Sequence, residues 1–252
     1  MPLTQQEKLA RNRVCLPLDG LNTLAEVKER VAELKEVVGL FKVGKESFTK
    51  FGPAVIELIH KSKREVFLDL KYHDIPNTVK GAAAAATELG VFMFNVHASG
   101  GLEMMQAARE GALGIAGKHS MRCPKIIGVT VLTSIDGKIL KEELGIEESV
   151  EEHVLRLAKL TNSAGLDGIV CSAADLYAIK SKLPEDFIFV TPGIKGIDGE
   201  AGADQKRVFT PGNAIRDGST ILVVGRTITG YKTPEERLEA GYKILKDMAQ
   251  YF

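Results

Sequence analysis

Short apolar runs recur along the chain at 13–18, 40–43, 66–70, 91–96, 125–131, 168–171, 187–190 and 220–224. Most show little alternation of apolar and polar side chains, the pattern of parallel strands buried on both faces. Between them lie stretches with helical spacing. Leu24, Val27, Val31 and Leu34 follow a three-four rhythm, and Val154, Leu157, Ala158 and Leu160 do the same after an acidic start at 147–152. The alanine run 82–86 also reads as helix, because alanine is the best helix former and its small side chain permits close packing. Repeated strand-helix units in 252 residues predict an α/β chain folded as one (β/α)8 TIM barrel domain over 1–252, in preference to a doubly wound open sheet. Residues 1–12 read as a polar N-terminal extension, and 192–206 as a glycine-containing loop long enough to act as a lid.

Composition narrows the partners. Thirty-three basic and thirty-three acidic side chains cancel, so no global field draws the chain to a nucleic acid polymer or an anionic membrane. The longest apolar stretches fall short of the roughly 20 residues a membrane span requires, and the first residues carry no signal-like apolar segment. A soluble, cytoplasmic protein is expected. Cys15, Cys123 and Cys171 are odd in number and widely spaced, which argues against a disulfide framework and a zinc knuckle. His60, His73, His119 and His153 show no metal-ligand spacing, and no metal or cofactor is expected.

The third run carries the densest chemistry. In Asp69-Leu70-Lys71-Tyr72-His73-Asp74 the strand period places Asp69 and Lys71 on one face, with Asp74 beyond the strand and Pro76 limiting how far any regular element continues through the loop. A salt bridge closing one barrel end would explain the pair alone. Three charges at the carboxyl end of a barrel strand, where barrels place catalysis, point further. Unit charges 4 Å apart interact by about 4 kcal/mol at an effective dielectric of 20, enough to hold a lysine protonated as a proton donor.

The motif D-x-K-x-x-D followed by I-P-x-T resembles the signature of the orotidine 5'-phosphate decarboxylase family. The resemblance extends through Leu18-Asp19, Phe41 to Gly44, Asn95 to Ala98, Val129 to Ser134, Thr191 to Ile194, Asp204-Gln205 and Val224 to Arg226. It implies a cofactor-free conversion of orotidine monophosphate to uridine monophosphate and carbon dioxide, the last step of de novo UMP synthesis. In that reading Lys71 protonates the pyrimidine C6 carbanion. Asp69 sits beside the substrate carboxylate, either destabilising the bound ground state or holding the lysine array. Asp74, with Ile75 and Thr78, comes from the neighbouring subunit, so a homodimer is implied. Asp19 and Lys42 bind the ribose hydroxyls and support the charge network, while Thr133 contacts the pyrimidine.

The resemblance also implies a phosphate site from the last two loops: Gly225 and Arg226, with Pro192, Lys195 and Gln205 in the closing loop. Arginine offers a planar fork for bidentate contact. Many bacterial relatives carry arginine where this chain has Lys195, which either assists the phosphate or merely decorates the lid. Pro17 replaces a more usual alanine, a change expected only to fix strand-end geometry, and His97 is expected at the site's edge without a chemical role. Metal-dependent sugar-phosphate relatives share Asp69 to Asp74 but hold magnesium through a glutamate at the end of strand two. Here that position is Lys42, a cation. A non-catalytic nucleotide-binding barrel is the other alternative, weakened by the intact charged cluster.

Overall fold

The computed structural model describes residues 2–194 and 210–252. Its strands are β1 (Val14–Pro17), β2 (Leu40–Gly44), β3 (Glu65–Tyr72), β4 (Met93–His97), β5 (Lys125–Val129), β6 (Gly168–Val170), β7 (Ile188–Pro192) and β8 (Ile221–Val223). They follow one another in sequence order around a closed barrel, so the expected (β/α)8 TIM architecture is the one observed and the open sheet is not. Each strand falls on one of the apolar runs, displaced by a few residues at its ends.

The chain groups into two compact units, Leu68–Val190 and the remainder, Met1–Phe67 with Thr191–Phe252. In the second of these, β1 lies between two parallel partners, with Cys15 opposite Leu40 on one side and Val223 on the other. Helix α1 (Gln5–Arg11) packs against α12 (Pro234–Ala249). The stretch expected as a polar extension thus contains a helix: Thr4 and Glu7 form a capping box, and Ala10 is buried. One buried side chain in seven residues is too thin a stripe to register as periodicity. Helices α2 (Leu24–Leu34), α3 (Lys45–Phe51) and α4 (Ala54–Lys61) flank β2, and α10 (Pro211–Asp217) and α11 (Arg226–Thr229) flank β8. Thr23 caps α2, whose Val27, Val31 and Leu34 are buried while Leu24 is exposed.

In the Leu68–Val190 unit, β4 through β7 run parallel in register, Phe94 opposite Ile126 and Ile127 opposite Gly168. Helices α5 (Pro76–Glu88), α6 (Leu102–His119), α7 (Gly137–Glu142), α8 (Val150–Ser163) and α9 (Ala173–Ile179) alternate with them. The alanine run lies in α5, with Ala83 and Ala86 buried. There α5 meets α6 so closely that a Cβ on Gly111 would overlap the Lys80 carbonyl. Helix α8 buries Val154, Leu157 and Ala158 as expected, but Leu160 is only half-buried and His153 and Thr161 complete its inner face.

Phe41 and Phe94 are fully enclosed. Each contributes about 1.5–3 kcal/mol by leaving water. Pro76 does not merely close a loop. It opens α5 at the first helical position, where its missing N–H leaves no bond unmade, so Thr78 belongs to a helical first turn.

Candidate active site

Strand β3 runs through four buried residues, Val66 to Asp69, and then emerges half-buried through Leu70, Lys71 and Tyr72. At its carboxyl end Lys71 Nζ donates to Asp69 Oδ1 across 2.6 Å. The two side chains share a face, as the strand period predicts, but Lys71 itself departs from extended geometry with φ +53°. A left-handed conformation costs a residue bearing a Cβ about 1–2 kcal/mol. Strain of this kind persists only where surrounding bonds over-determine it, and it gathers at functional sites.

The bond that meets Lys71 here comes from β4. Asn95, buried to 1% exposure, accepts the Lys71 backbone N–H on Oδ1 at 2.8 Å and donates from Nδ2 to Asp69 Oδ1 at 2.7 Å. Asp69 Oδ1 therefore receives the amide and the ammonium together. Asn95 carries no role in the motif resemblance, yet a polar residue inside the apolar run 91–96 is itself a signal, because a buried amide needs partners.

Tyr72 packs its ring 5.9 Å from Phe94, and burial pushes its hydroxyl up to about 12. His73 and His97 face each other with ring centroids 5.3 Å apart. Asp74, Ile75 and Thr78 are exposed, Ile75 to 67%, and the Asp74 carboxylate accepts the Ile75 backbone N–H. Nearby on this unit, α5 and α6 border an open groove of about 550 Å³ lined by the small residues Gly81, Ala84, Gly111 and Gly114 together with Asn77, Lys80, Glu110 and Ile115. Thr133 stands exposed in the turn after β5, where Asp136 caps α7.

The other unit carries a second charged cluster. Lys42, near the end of β2, reaches the Asp19 carboxylate beyond β1 at 3.3 Å. Gly44 makes room for them: a Cβ there would stand 2.9 Å from Asp19 Oδ1 and 3.1 Å from Lys42 Nζ. After β8, Gly225 precedes the short α11 and Arg226 is exposed. A Cβ on Gly225 would come 3.3 Å from Pro17 Cγ, so the proline substituted in this chain lies against the expected phosphate loop. Pro192 ends β7, followed by Gly193 at φ +78°, and the Ile194 carbonyl accepts from Thr227 Oγ1 at 2.9 Å. Lys195 and Gln205, with 195–206 of the expected lid, lie outside the described residues.

Among the described residues no three His, Cys, Asp or Glu side chains gather as a metal-ligating group, and no helix is long and apolar enough to cross a membrane. Cys171 is buried and Cys123 half-buried, both as free thiols.

Comparison with known proteins bears directly on this arrangement. Residues 12–240 match the model of the family described as Orotidine 5'-phosphate decarboxylase / HUMPS. The chain is 45% identical over 250 residues to the orotidine 5'-phosphate decarboxylase of Syntrophus aciditrophicus, covering 99% of this chain and 98% of that one. It is 48% identical over 227 residues to the orotidine 5'-phosphate decarboxylase of Vibrio cholerae, covering 90% and 95% of the two. The crystal structure of orotidine 5'-phosphate decarboxylase from Lactobacillus acidophilus superposes with a TM-score of 0.80 at 34% identity, across 93% of this chain and 98% of that one. With its strand-three lysine and carboxylate in contact and nearly its whole length matched, the chain belongs to the orotidine 5'-phosphate decarboxylase / HUMPS family.

Proposed function

We propose that this chain converts orotidine 5'-monophosphate to uridine 5'-monophosphate and carbon dioxide, the last step of de novo UMP synthesis, without metal or cofactor. The observation that carries the reading is the Lys71 ammonium held 2.6 Å from the buried Asp69 carboxylate at the end of β3. When the bond from C6 to the carboxylate breaks, its electron pair stays on C6 and carbon dioxide leaves. The Lys71 proton then forms the new C6–H bond, and the neutral amine regains a proton from solvent. Asp69 places negative charge where the substrate carboxylate would lie and keeps the ammonium aimed.

Within this reading Asp19 and Lys42 serve the ribose, Thr133 the pyrimidine, and Gly225, Arg226, Pro192, Lys195 and Gln205 the phosphate, with the 192–206 loop closing as a lid. Binding energy gathered at the phosphate then supports exclusion of water at the reacting carbon. All of this lies within one barrel domain in the cytoplasm. Lys42 favours the metal-free chemistry over the sugar-phosphate alternative, since a cation beside Asp19 opposes a second cation there.

The protein acts as a homodimer, with Asp74, Ile75 and Thr78 contributed across the interface. Support comes from the exposure of all three and from the small-residue groove beside them on α5 and α6. Ile75, 67% exposed beside this groove, is an apolar side chain that the partner surface would cover.

The test is release of carbon dioxide from orotidine monophosphate by protein exhaustively stripped with a chelator. Turnover is expected to survive, and Lys71→Ala to bind UMP while losing turnover. Activity that disappears with chelation and returns with magnesium, or near-normal turnover without Lys71, overturns the proposal.

A further inference from the structure

Asp69 and Lys71 are close in sequence, but what aims them belongs to another strand. Asn95 on β4 is almost wholly buried, and a buried side-chain amide is retained only where both its donor and its acceptor are used. Its Oδ1 takes the backbone N–H of Lys71, the residue at φ +53°. Its Nδ2 gives a hydrogen bond to Asp69 Oδ1, the same oxygen that receives Lys71 Nζ. One planar group therefore sets two quantities at once: the left-handed backbone from which the lysine departs, and the rotation of the carboxylate that receives it.

We infer that Asn95 is a positioning residue for proton delivery, holding Lys71 and Asp69 in register through these two hydrogen bonds. The inference rests on the decarboxylase reading above. Asn95 touches no substrate in this scheme; it acts through its neighbours. A serine would be too short to span both partners. An aspartate has the same shape and keeps the acceptor for Lys71 N–H, but it offers no donor to Asp69 and adds a second carboxylate beside it.

The experiment compares wild type, Asn95→Ala and Asn95→Asp in kcat for orotidine monophosphate, affinity for UMP, pH profile and thermal melting. Misplacing a reacting group by about 1 Å costs on the order of 100-fold, so kcat of Asn95→Ala should fall by about that factor while UMP affinity stays within about threefold. In Asn95→Asp two neighbouring carboxylates resist joint ionisation, and the acid limb of the kcat profile should move to higher pH. The isosteric variant decides the question if Asn95→Ala does not fold. Folded variants that keep the wild-type kcat and pH profile overturn the inference, as does equal loss of UMP binding and turnover, which would mark a purely structural residue. A wild-type chain inactive on orotidine monophosphate sinks the underlying reading instead, so the two failures are told apart.

Discussion

Lys42 Nζ lies 3.3 Å from Asp19 Oδ2, the lysine side chain 12% and the carboxylate 49% exposed. A pair with one partner half in water contributes about 0–1 kcal/mol to folding. Lys42→Met, similar in length and apolar, should therefore melt close to wild type while losing about 100-fold in kcat/KM, the scale set by misplaced substrate contacts. Melting curves and steady-state kinetics on the same preparation check this. Unchanged kinetics would remove Lys42 from the site.

If Asp74 acts on the partner's substrate, defects in different subunits should complement. Mixed dimers of Asp74→Ala and Lys71→Ala chains contain one site with both residues intact. Up to about half of wild-type activity per dimer site pair is then recoverable from two parents that are each inactive. Purified heterodimers as inactive as the parents would place Asp74 in its own subunit's chemistry or outside it.

The contact of α5 with α6 makes a prediction about stability. Gly111→Ala forces a Cβ against the Lys80 carbonyl, and backbone cannot give way as a flexible side chain can. The expected cost is about 1–3 kcal/mol, typical of overpacking. Gly117, on the same helix, has open space at its Cβ position, so Gly117→Ala should instead stabilise by up to about 1 kcal/mol through helix propensity. Opposite shifts in denaturation midpoint are the expected outcome; two shifts of the same sign would contradict the close approach.

Tyr72 supplies a pH dependence. Burial raises its hydroxyl to about 12, so the folded chain holds this proton more tightly than the unfolded chain, whose tyrosines titrate at about 10. The contribution is fully present below about pH 10 and is lost as pH rises toward about 12. Tyr72→Phe should match wild type near neutrality and retain more of its stability across that alkaline window. Parallel decline of both chains in alkaline denaturation would show that Tyr72 is not the responsible group.

What the sequence by itself determined was a chain of parallel strand-helix units and the identity of its charged residues; the barrel was preferred over the open sheet, and the closed strand order decided it. Apolar runs that mostly lack alternation call for burial on both faces, which parallel strands covered by helices provide. The period of two likewise placed Asp69 and Lys71 on one face, because alternation is a local property of the backbone. The Lys42–Asp19 pair was legible as two strand-end charges, though not as a contact. Tertiary structure decided the rest. The N-terminal helix shows too little apolar stripe to read until α12 supplies its packing surface. The left-handed turn at Lys71 has no local signal, since nothing in a lysine prefers positive φ. Its N–H is met by Asn95, 24 residues away, and such long-range bonds are specified by which strands become neighbours rather than by which residues adjoin in the chain.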